Sequence, residues 1–198
     1  NEYQPLVGLA HGQSGIAIAL AAASKLIGKA ELVDIIQELF HYESLCYSQK
    51  RNNWFDFRKF SVKLREFSVD EIYHSRFMYG YCSGAPGIGI SRIIASRQLK
   101  TSEYNQEINQ AVRFCKKKQI IGNDSLCCGS SSWIDFLVEA SLYFNSQDLI
   151  DCAKKICVGI IPQNSGKEYI LSNLNGAADV SLFKGYAGIA YEFMRTLE

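Results

Sequence analysis

The sequence predicts an all-α fold built from a repeated pair of helices. A glycine-containing turn occurs four times, each time directly before an apolar stretch, and an amphipathic stretch with helical periodicity lies between successive copies. Patterns that alternate as strands do are scarce. An array of helix pairs with its turns on one face either stacks as a solenoid or closes into a ring. In both cases turns that are distant in the sequence come together.

Each copy of the repeat joins a short turn to the start of a helix. The copies are turn 1 (Gly8–Gly15), turn 2 (Gly80–Gly87), turn 3 (Leu126–Ser132) and turn 4 (Ser181–Gly188). Small residues let the start of a helix pack closely against its neighbours, and glycine adopts backbone conformations that other residues avoid. The longest apolar run, Gly15–Ala23, is far shorter than the ~20 residues of a membrane span, so it is predicted to be a buried helix.

Amphipathic stretches predict three further helices. They are Ala30–Leu45, Ser102–Lys117 with an N-cap at Thr101 or Ser102, and Gln147–Ile161. In the first of them, Ile35 and Ile36 are both expected on the buried face. Arg58–Val69 alternates weakly and is predicted to be a short hairpin.

Charge and cysteine content exclude several classes of function. The chain has 21 Lys and Arg residues against 20 Asp and Glu residues, and this balance gives no indication of nucleic acid or of an anionic membrane as a partner. No signal peptide or membrane span is evident. Because the 7 cysteines are odd in number and irregularly spaced, we expect reduced thiols in a cytoplasmic protein.

Two adjacent cysteines in turn 3 are the most unusual local feature. Cys127 and Cys128 precede a glycine there, and Cys82 lies near the corresponding glycine of turn 2. These cysteines are either small buried hydrophobic residues or ligands of a metal ion. Thiolates favour zinc over magnesium or calcium, and three protein ligands with an open fourth position are typical of a catalytic zinc site. The remaining cysteines are interpreted as core residues: Cys46, Cys115, Cys152 and Cys157.

One histidine is a candidate for catalysis. His11 precedes Gly12 in turn 1 and does not lie on an apolar helical stripe. His41 lies within an amphipathic helix and His74 in a predicted loop, and both are interpreted as surface or hydrogen-bonded polar residues.

Three turns resemble, in order, the signature motifs of the lanthionine synthetase C-like cyclases. GLAHGQSG, GYCSGAPG and LCCGSSS are similar to the family patterns G-x-x-H-G-x-x-G, W-C-x-G and C-H-G. The stretch NNWFDFR and the closing segment Ser181–Leu197 are similar to family sequences as well. The family fold is an α/α toroid of seven inner and seven outer helices. The resemblance implies that residues 1–198 form the C-terminal portion of such a cyclase domain. It also implies that earlier toroid helices, and the dehydratase domain of a bifunctional class II (LanM-type) synthetase, lie outside this chain.

The resemblance also implies roles for individual residues. By correspondence with the family motifs, Cys82, Cys127 and Cys128 would bind one Zn²⁺, and His11 would act as general acid and base. Histidine is commoner in the family at the position of Cys128. A subset of bifunctional synthetases carries a third cysteine there, and this sequence is similar to that subset.

Other positions depart from the family pattern. Tyr81 replaces a tryptophan, and Ser83 stands where many members have a tyrosine, so no catalytic role is assigned to it. The arginine that usually precedes the second motif has no clean match. Met78 falls at that spacing, and Arg76, two residues away, is the candidate for a second catalytic residue.

The function implied by the resemblance is zinc-dependent thioether formation. Such a cyclase adds a cysteine thiolate of a dehydrated precursor peptide to dehydroalanine or dehydrobutyrine, which forms lanthionine or methyllanthionine. Association with a peptide exporter is a further expectation. Two alternatives remain open: a non-catalytic relative that binds thiol peptides or glutathione, and a structural zinc site in a helical scaffold.

Overall fold

The computed structural model describes residues 4–57, 77–117, 122–161, 169–171 and 179–197, and these are mostly helical. In chain order the helices are α1 (Gln13–Ile27), α2 (Glu31–Leu45), α3 (Ala85–Leu99), α4 (Asn105–Lys117), α5 (Ser131–Phe144), α6 (Gln147–Ile160) and α7 (Tyr186–Arg195). Two short strands, β1 (Tyr47–Ser48) and β2 (Asn53–Trp54), pair antiparallel. The predicted all-α class is confirmed.

The helices form two layers. Those that follow a glycine turn, α1, α3, α5 and α7, contact one another in chain order and make the first layer. The second layer consists of α2, α4 and α6, each of which packs against the helix that precedes it. These are the inner and outer layers of an α/α toroid, the fold class that the sequence predicts.

The hydrophobic core lies between the two layers. Helix α3 has α1 and α5 beside it and α4 behind it, so its residues from Ala85 to Ile93 are all buried. Trp133 and Phe136 of α5 fill the space next to it and are fully buried. A Cβ atom on Gly89 would lie 2.3 Å from the Phe136 ring, which explains why α3 has a glycine at this point.

The apolar run at the start of α1 is only partly buried, contrary to prediction. Ala17 and Ala21 are fully buried, but Ile16 is 52% exposed. Among the described residues α1 packs mainly against α2 and α3, so only the face turned toward them is covered. The described ranges contain no helix that combines the length and the apolar character required to cross a membrane.

Two predicted details of the outer layer are wrong. Ile35 is 44% exposed, because the buried face of α2 runs through Ile36 and Phe40 instead. Helix α4 begins at Asn105, not at Ser102.

A turn before α4 accounts for its later start. Thr101 Oγ1 accepts a hydrogen bond from the Glu103 N–H (3.2 Å). The Asn105 N–H then donates to the Ser102 carbonyl (3.1 Å). The hairpin predicted at Arg58–Val69 lies outside the described residues, and the short β1–β2 pair before it was not predicted.

Candidate metal centre

Turns 1, 3 and 4 each close on themselves through backbone hydrogen bonds. In turn 1 the Gly12 N–H donates to the Gly8 carbonyl (3.1 Å), and the Gln13 N–H donates to the Leu6 carbonyl (3.1 Å). In turn 3 the equivalent bonds run from the Gly129 N–H to the Ser125 carbonyl (2.9 Å) and from the Ser130 N–H to the Asn123 carbonyl (2.8 Å). In turn 4 they run from the Gly185 N–H to the Ser181 carbonyl (3.0 Å) and from the Tyr186 N–H to the Asp179 carbonyl (2.7 Å). A Cβ atom on Gly12 would lie 2.3 Å from the carbonyl carbon of Val7, so this closure requires glycine.

Hydrogen bonds between backbones also join the four turns side by side. The Ala10 N–H donates to the Cys82 carbonyl (3.0 Å), the Cys82 N–H to the Cys127 carbonyl (3.3 Å), and the Cys127 N–H to the Phe183 carbonyl (2.7 Å). Each of these four residues stands two positions before an equivalent glycine of the repeat: Gly12, Gly84, Gly129 or Gly185. This series, termed the turn ladder, preserves the register of the sequence repeat and explains why cysteines from separate turns meet.

Two glycines allow consecutive turns to approach each other closely. A Cβ atom on Gly80 would lie 2.5 Å from the Cα atom of Cys128. A Cβ atom on Gly8 would lie 2.6 Å from the Cα atom of Ser83, and the φ angle of Gly8 is +112°, in a region that glycine favours. The backbone of each turn therefore packs directly on the next one.

Three sulfur atoms converge at the centre of the turn ladder. The Sγ atoms of Cys82 and Cys127 are 2.8 Å apart, and those of Cys127 and Cys128 are 3.4 Å apart. All three lie within 4.8 Å of one another, and each cysteine is a free thiol. In the part of the chain that the structure describes, no other group of three or more His, Cys, Asp or Glu side chains is close enough to share a metal ion. Cys82 is buried, whereas Cys127 and Cys128 are half-buried, so the group is reachable from the surface.

Two of the three thiols, those of Cys82 and Cys127, have raised pKa values. Hydrogen bonding to Cys127 and Cys128, with burial, raises the pKa of Cys82. The hydrogen bond to Cys128 is also the main cause that raises the pKa of Cys127, while the hydrogen bond to Cys82 and, more weakly, the ammonium group of Lys184 act in the opposite direction. A divalent cation among the sulfurs would reverse this preference, because thiols that bind a metal ion lose their protons.

The donor atoms and their spacing fit zinc. Thiolate sulfurs lie about 2.3 Å from a tetrahedral zinc ion, which places them about 3.8 Å from one another. Two of the separations here, 2.8 Å and 3.4 Å, are shorter than that value, and the third is at most 4.8 Å. Three soft donors also suit zinc better than magnesium or calcium.

Turn 1, which carries His11, adjoins turn 2, which carries Cys82. His11 is exposed, and it directly follows Ala10, whose N–H donates to the carbonyl group of Cys82. It lines an open depression of about 590 Å³ together with Leu9 and Ile16. Arg76 and His74 lie outside the described residues, so the candidate role of Arg76 stays a prediction.

The other cysteines and His41 lie away from the site. Cys46, Cys115 and Cys157 are buried with the hydrophobic core, as predicted, and Cys152 is half-buried against it. His41 is exposed on α2.

Sequence reasoning missed a buried polar network behind turn 1. Glu43 of α2 and Arg92 of α3 are fully buried and form an ion pair of 2.8 Å. Glu43 accepts hydrogen bonds from both ends of the turn, at Gly8 and Ser14. A signal was present in the sequence, because Glu43 shares the buried face of α2 with Phe40, and Arg92 lies among the isoleucines of α3.

A second missed contact supports turn 2. Asn53, in the stretch NNWFDFR, accepts a hydrogen bond from the Ala85 N–H at the start of α3 (2.9 Å). Its Nδ2 atom donates to the Met78 carbonyl (2.7 Å), just before the turn. The resemblance noted for this stretch therefore has a structural explanation, since Asn53 ties β2 to the turn that carries Cys82.

Comparison with known proteins supports this picture of the fold. The family model described as "Lanthionine synthetase C-like protein" matches residues 1–198. Among solved structures the chain is similar to one described as "Nisin cyclase", with a TM-score of 0.61 and 16% sequence identity. That match covers 97% of this chain and 46% of the other, so the chain spans less than half the length of that protein. No curated protein matches the chain.

Proposed function

We propose, from the premise that the chain belongs to the lanthionine synthetase C-like family, that it takes part in thioether formation on a dehydrated precursor peptide. The reaction joins a cysteine of the peptide to dehydroalanine or dehydrobutyrine and forms lanthionine or methyllanthionine. The observation that carries the proposal is the group of three sulfurs, from Cys82, Cys127 and Cys128, within 4.8 Å of one another.

In this proposal the three cysteines hold Zn²⁺ as thiolates and leave one coordination position for the substrate. When bound, zinc would favour the thiolate form of a coordinated substrate cysteine near neutral pH. The half-buried positions of Cys127 and Cys128 leave the group open to a peptide from the solvent side.

His11 is proposed to move the protons of the reaction. The substrate thiol loses its proton, its sulfur forms a bond to the β-carbon of the dehydro residue, and the electrons of the C=C bond move toward the carbonyl group as an enolate. His11 accepts the thiol proton and returns a proton to the α-carbon. The sum is addition of S–H across C=C, so it needs no oxidant and releases no leaving group. Its exposed position on turn 1, beside the residue that hydrogen-bonds to Cys82, supports this role.

The test is cyclisation of a dehydrated, cysteine-containing precursor peptide by the purified protein. Ring formation leaves the peptide mass unchanged and removes a thiol that can be alkylated, so alkylation followed by mass spectrometry measures the rate. His11→Asn is expected to keep about one zinc per chain and to lower the rate by roughly 10²–10⁴-fold. His41→Asn is the matched control, because His41 is an exposed histidine on α2, and its rate is expected to stay at the wild-type value.

Other results would contradict the proposal. A His11→Asn variant that cyclises the peptide as fast as the wild type would remove His11 from the reaction. Wild-type protein that contains zinc and binds the peptide without consuming its thiol would instead indicate a binding protein for thiol peptides or glutathione.

A further inference from the structure

Turn 1 is held at both ends by a single carboxylate from another helix. Glu43 Oε1 accepts hydrogen bonds from the Gly8 N–H (2.8 Å) and from the Ser14 N–H (2.9 Å). Glu43 Oε2 accepts a bond from the Ser14 hydroxyl (2.5 Å). Because Gly8 precedes His11 by three residues and Ser14 follows it by three, Glu43 fixes the two ends of the segment that carries His11.

Arg92 supplies the counter-charge for this carboxylate. A buried carboxylate is costly unless it is paired and hydrogen-bonded. Arg92 Nη1 lies 2.8 Å from Glu43 Oε2, and its guanidinium carbon lies 3.7 Å from the centre of the Phe40 ring. On its other side Arg92 Nε pairs with Glu107 Oε2 at 2.9 Å. Burial alone would lower the pKa of Arg92, but the two carboxylates together raise it. Glu43 is thus an acceptor with a permanent counter-charge.

Glu43 holds turn 1 and not the turns that carry the cysteines. None of the hydrogen bonds of Glu43 described above reaches turn 2 or turn 3, which carry Cys82, Cys127 and Cys128. Turn 3 is held by contacts of its own, among them the bond from the Ser131 hydroxyl to the Asp124 carbonyl (2.6 Å). Loss of the Glu43 contacts would therefore act first on the segment that carries His11, and would reach the sulfurs only through the contacts between turns 1 and 2, such as the hydrogen bond from Ala10 to Cys82.

We infer that Glu43 is a positioning residue, which fixes His11 through its hydrogen bonds to Gly8 and Ser14. The inference rests on the proposed role of His11 in thioether formation. According to this inference, the buried carboxylate influences the rate of the proton-transfer step and does not help to hold the metal ion.

The chain offers a matched pair of variants for the test. Glu43→Gln and Glu107→Gln each remove one negative charge beside Arg92, but only Glu43 contacts turn 1. Both variants are expected to keep the zinc content of the wild type. Glu43→Gln is expected to lower kcat for cyclisation at least tenfold and to change KM less than threefold. The reason is that a glutamine side chain must turn its NH₂ group toward a group that donates a hydrogen bond to Glu43. Glu107→Gln is expected to stay within twofold of the wild type. Equal kcat values for the two variants would overturn the inference.

A double variant separates positioning from a general structural role. In a His11→Asn background, Glu43→Gln is expected to cause no further loss of rate, because the group that it positions is already absent. A further tenfold loss there would show that Glu43 acts independently of His11 and would overturn the inference. If His11→Asn alone cyclised at the wild-type rate, the proposed function of His11 would fail together with the inference. If His11→Asn is impaired and Glu43→Gln is not, only the inference fails.

A spectroscopic readout does not depend on activity. In protein labelled with ¹⁵N-histidine, the His11 side-chain signals are expected to shift in Glu43→Gln and remain unchanged in Glu107→Gln. Ser14→Ala removes the hydroxyl bond to Glu43, together with the bonds that Ser14 Oγ accepts from Arg92 Nη1 and Ser91 Oγ, and keeps the bond from the Ser14 N–H. It serves if Glu43→Gln does not fold, with a smaller shift and a rate lowered severalfold. His11 signals that are the same in Ser14→Ala and in the wild type would overturn the inference.

Discussion

At the residue scale, Cys128 sets this site apart from the motif that it resembles. It directly precedes Gly129 in turn 3, as His11 directly precedes Gly12 in turn 1. A histidine ligand is neutral, whereas a thiolate adds a negative charge to the metal site. Additional thiolate charge would weaken the pull of zinc on a substrate thiolate and leave that thiolate more nucleophilic.

Replacement of Cys128 by histidine tests how the negative charge of the third thiolate affects cyclisation. Cys128→His is expected to retain about one zinc per chain, since imidazole is a zinc ligand. It is expected to cyclise a panel of dehydrated peptides severalfold more slowly and to accept fewer of them. The measurement is the cyclisation rate of each peptide with the two proteins at equal zinc content. Equal rates across the whole panel would show that the extra thiolate has no such effect.

Glu192, which is not part of the cysteine site, is a second residue with an unusual electrostatic environment. It is fully buried on α7, its Oε2 atom lies 3.3 Å from Arg195 Nη1, and its Oε1 atom has no hydrogen-bond partner among the described residues. Burial, together with the charge of Asp135, raises the pKa of Glu192 to about 8, although Arg195 opposes the shift. Folding therefore costs free energy whenever this carboxyl group must ionise.

The sign of this shift predicts how stability depends on pH. Between about pH 4.5 and pH 8 the unfolded chain loses the Glu192 proton while the folded chain keeps it, so the free energy of unfolding decreases as pH rises through this range. In Glu192→Gln the free energy of unfolding is expected to decrease less between pH 5 and pH 8 than in the wild type. The measurement is urea unfolding at both pH values. Glu38→Gln, which changes an exposed glutamate of α2, is the control and is expected to behave as the wild type. A pH dependence that is identical in all three proteins would contradict the shift.

At the element scale, the glycines of the turns decide how closely the elements approach. Gly80 is the clearest case, because the Cα atom of Cys128 occupies the space where a side chain would begin. The carbonyl of Cys127 is nearly as close, at 2.8 Å from the same Cβ position. Separation of turns 2 and 3 would strain the hydrogen bond between Cys82 and Cys127 and move their sulfurs apart.

Gly80→Ala is therefore expected to impair stability and metal binding together. Overpacking against backbone costs about 1–3 kcal/mol, and the zinc content is expected to decrease with it. Gly122→Ala is the control, since a Cβ atom there meets nothing within 4 Å. The measurements are thermal unfolding and zinc analysis of both variants. Full zinc content and wild-type stability in Gly80→Ala would mean that the turns are not packed as described.

The sequence predicted the elements that depend on local patterns. Each turn precedes a helix and the three amphipathic stretches are helical, because periodicity and small residues act over a few positions. The errors arise where contacts between elements decide the outcome. The exposure of Ile35 follows from how α2 packs, and the network of Glu43 and Arg92 joins three helices whose arrangement no local pattern contains.

At the scale of the whole molecule, two layers of helices bring residues from distant turns into one row. The repeat register predicted that Cys82 would meet Cys127 and Cys128, and the turn ladder gives the physical reason, since equivalent residues of successive turns hydrogen-bond to one another. The identity of the metal and the role of His11 do not follow from that register alone. They depend on family resemblance and on the chemistry of the donor atoms, so both are proposals.

The central claim is that the three converging sulfurs hold one zinc ion, and zinc per chain tests it most directly. The purified protein is predicted to contain about one zinc ion per chain, and Cys82→Ala, Cys127→Ala and Cys128→Ala are each predicted to lose most of it. Cys152→Ala, which removes a half-buried cysteine of α6, is predicted to retain it. Folded wild-type protein without zinc, or zinc retained in all three variants, would contradict the account and return these cysteines to the role of small buried residues.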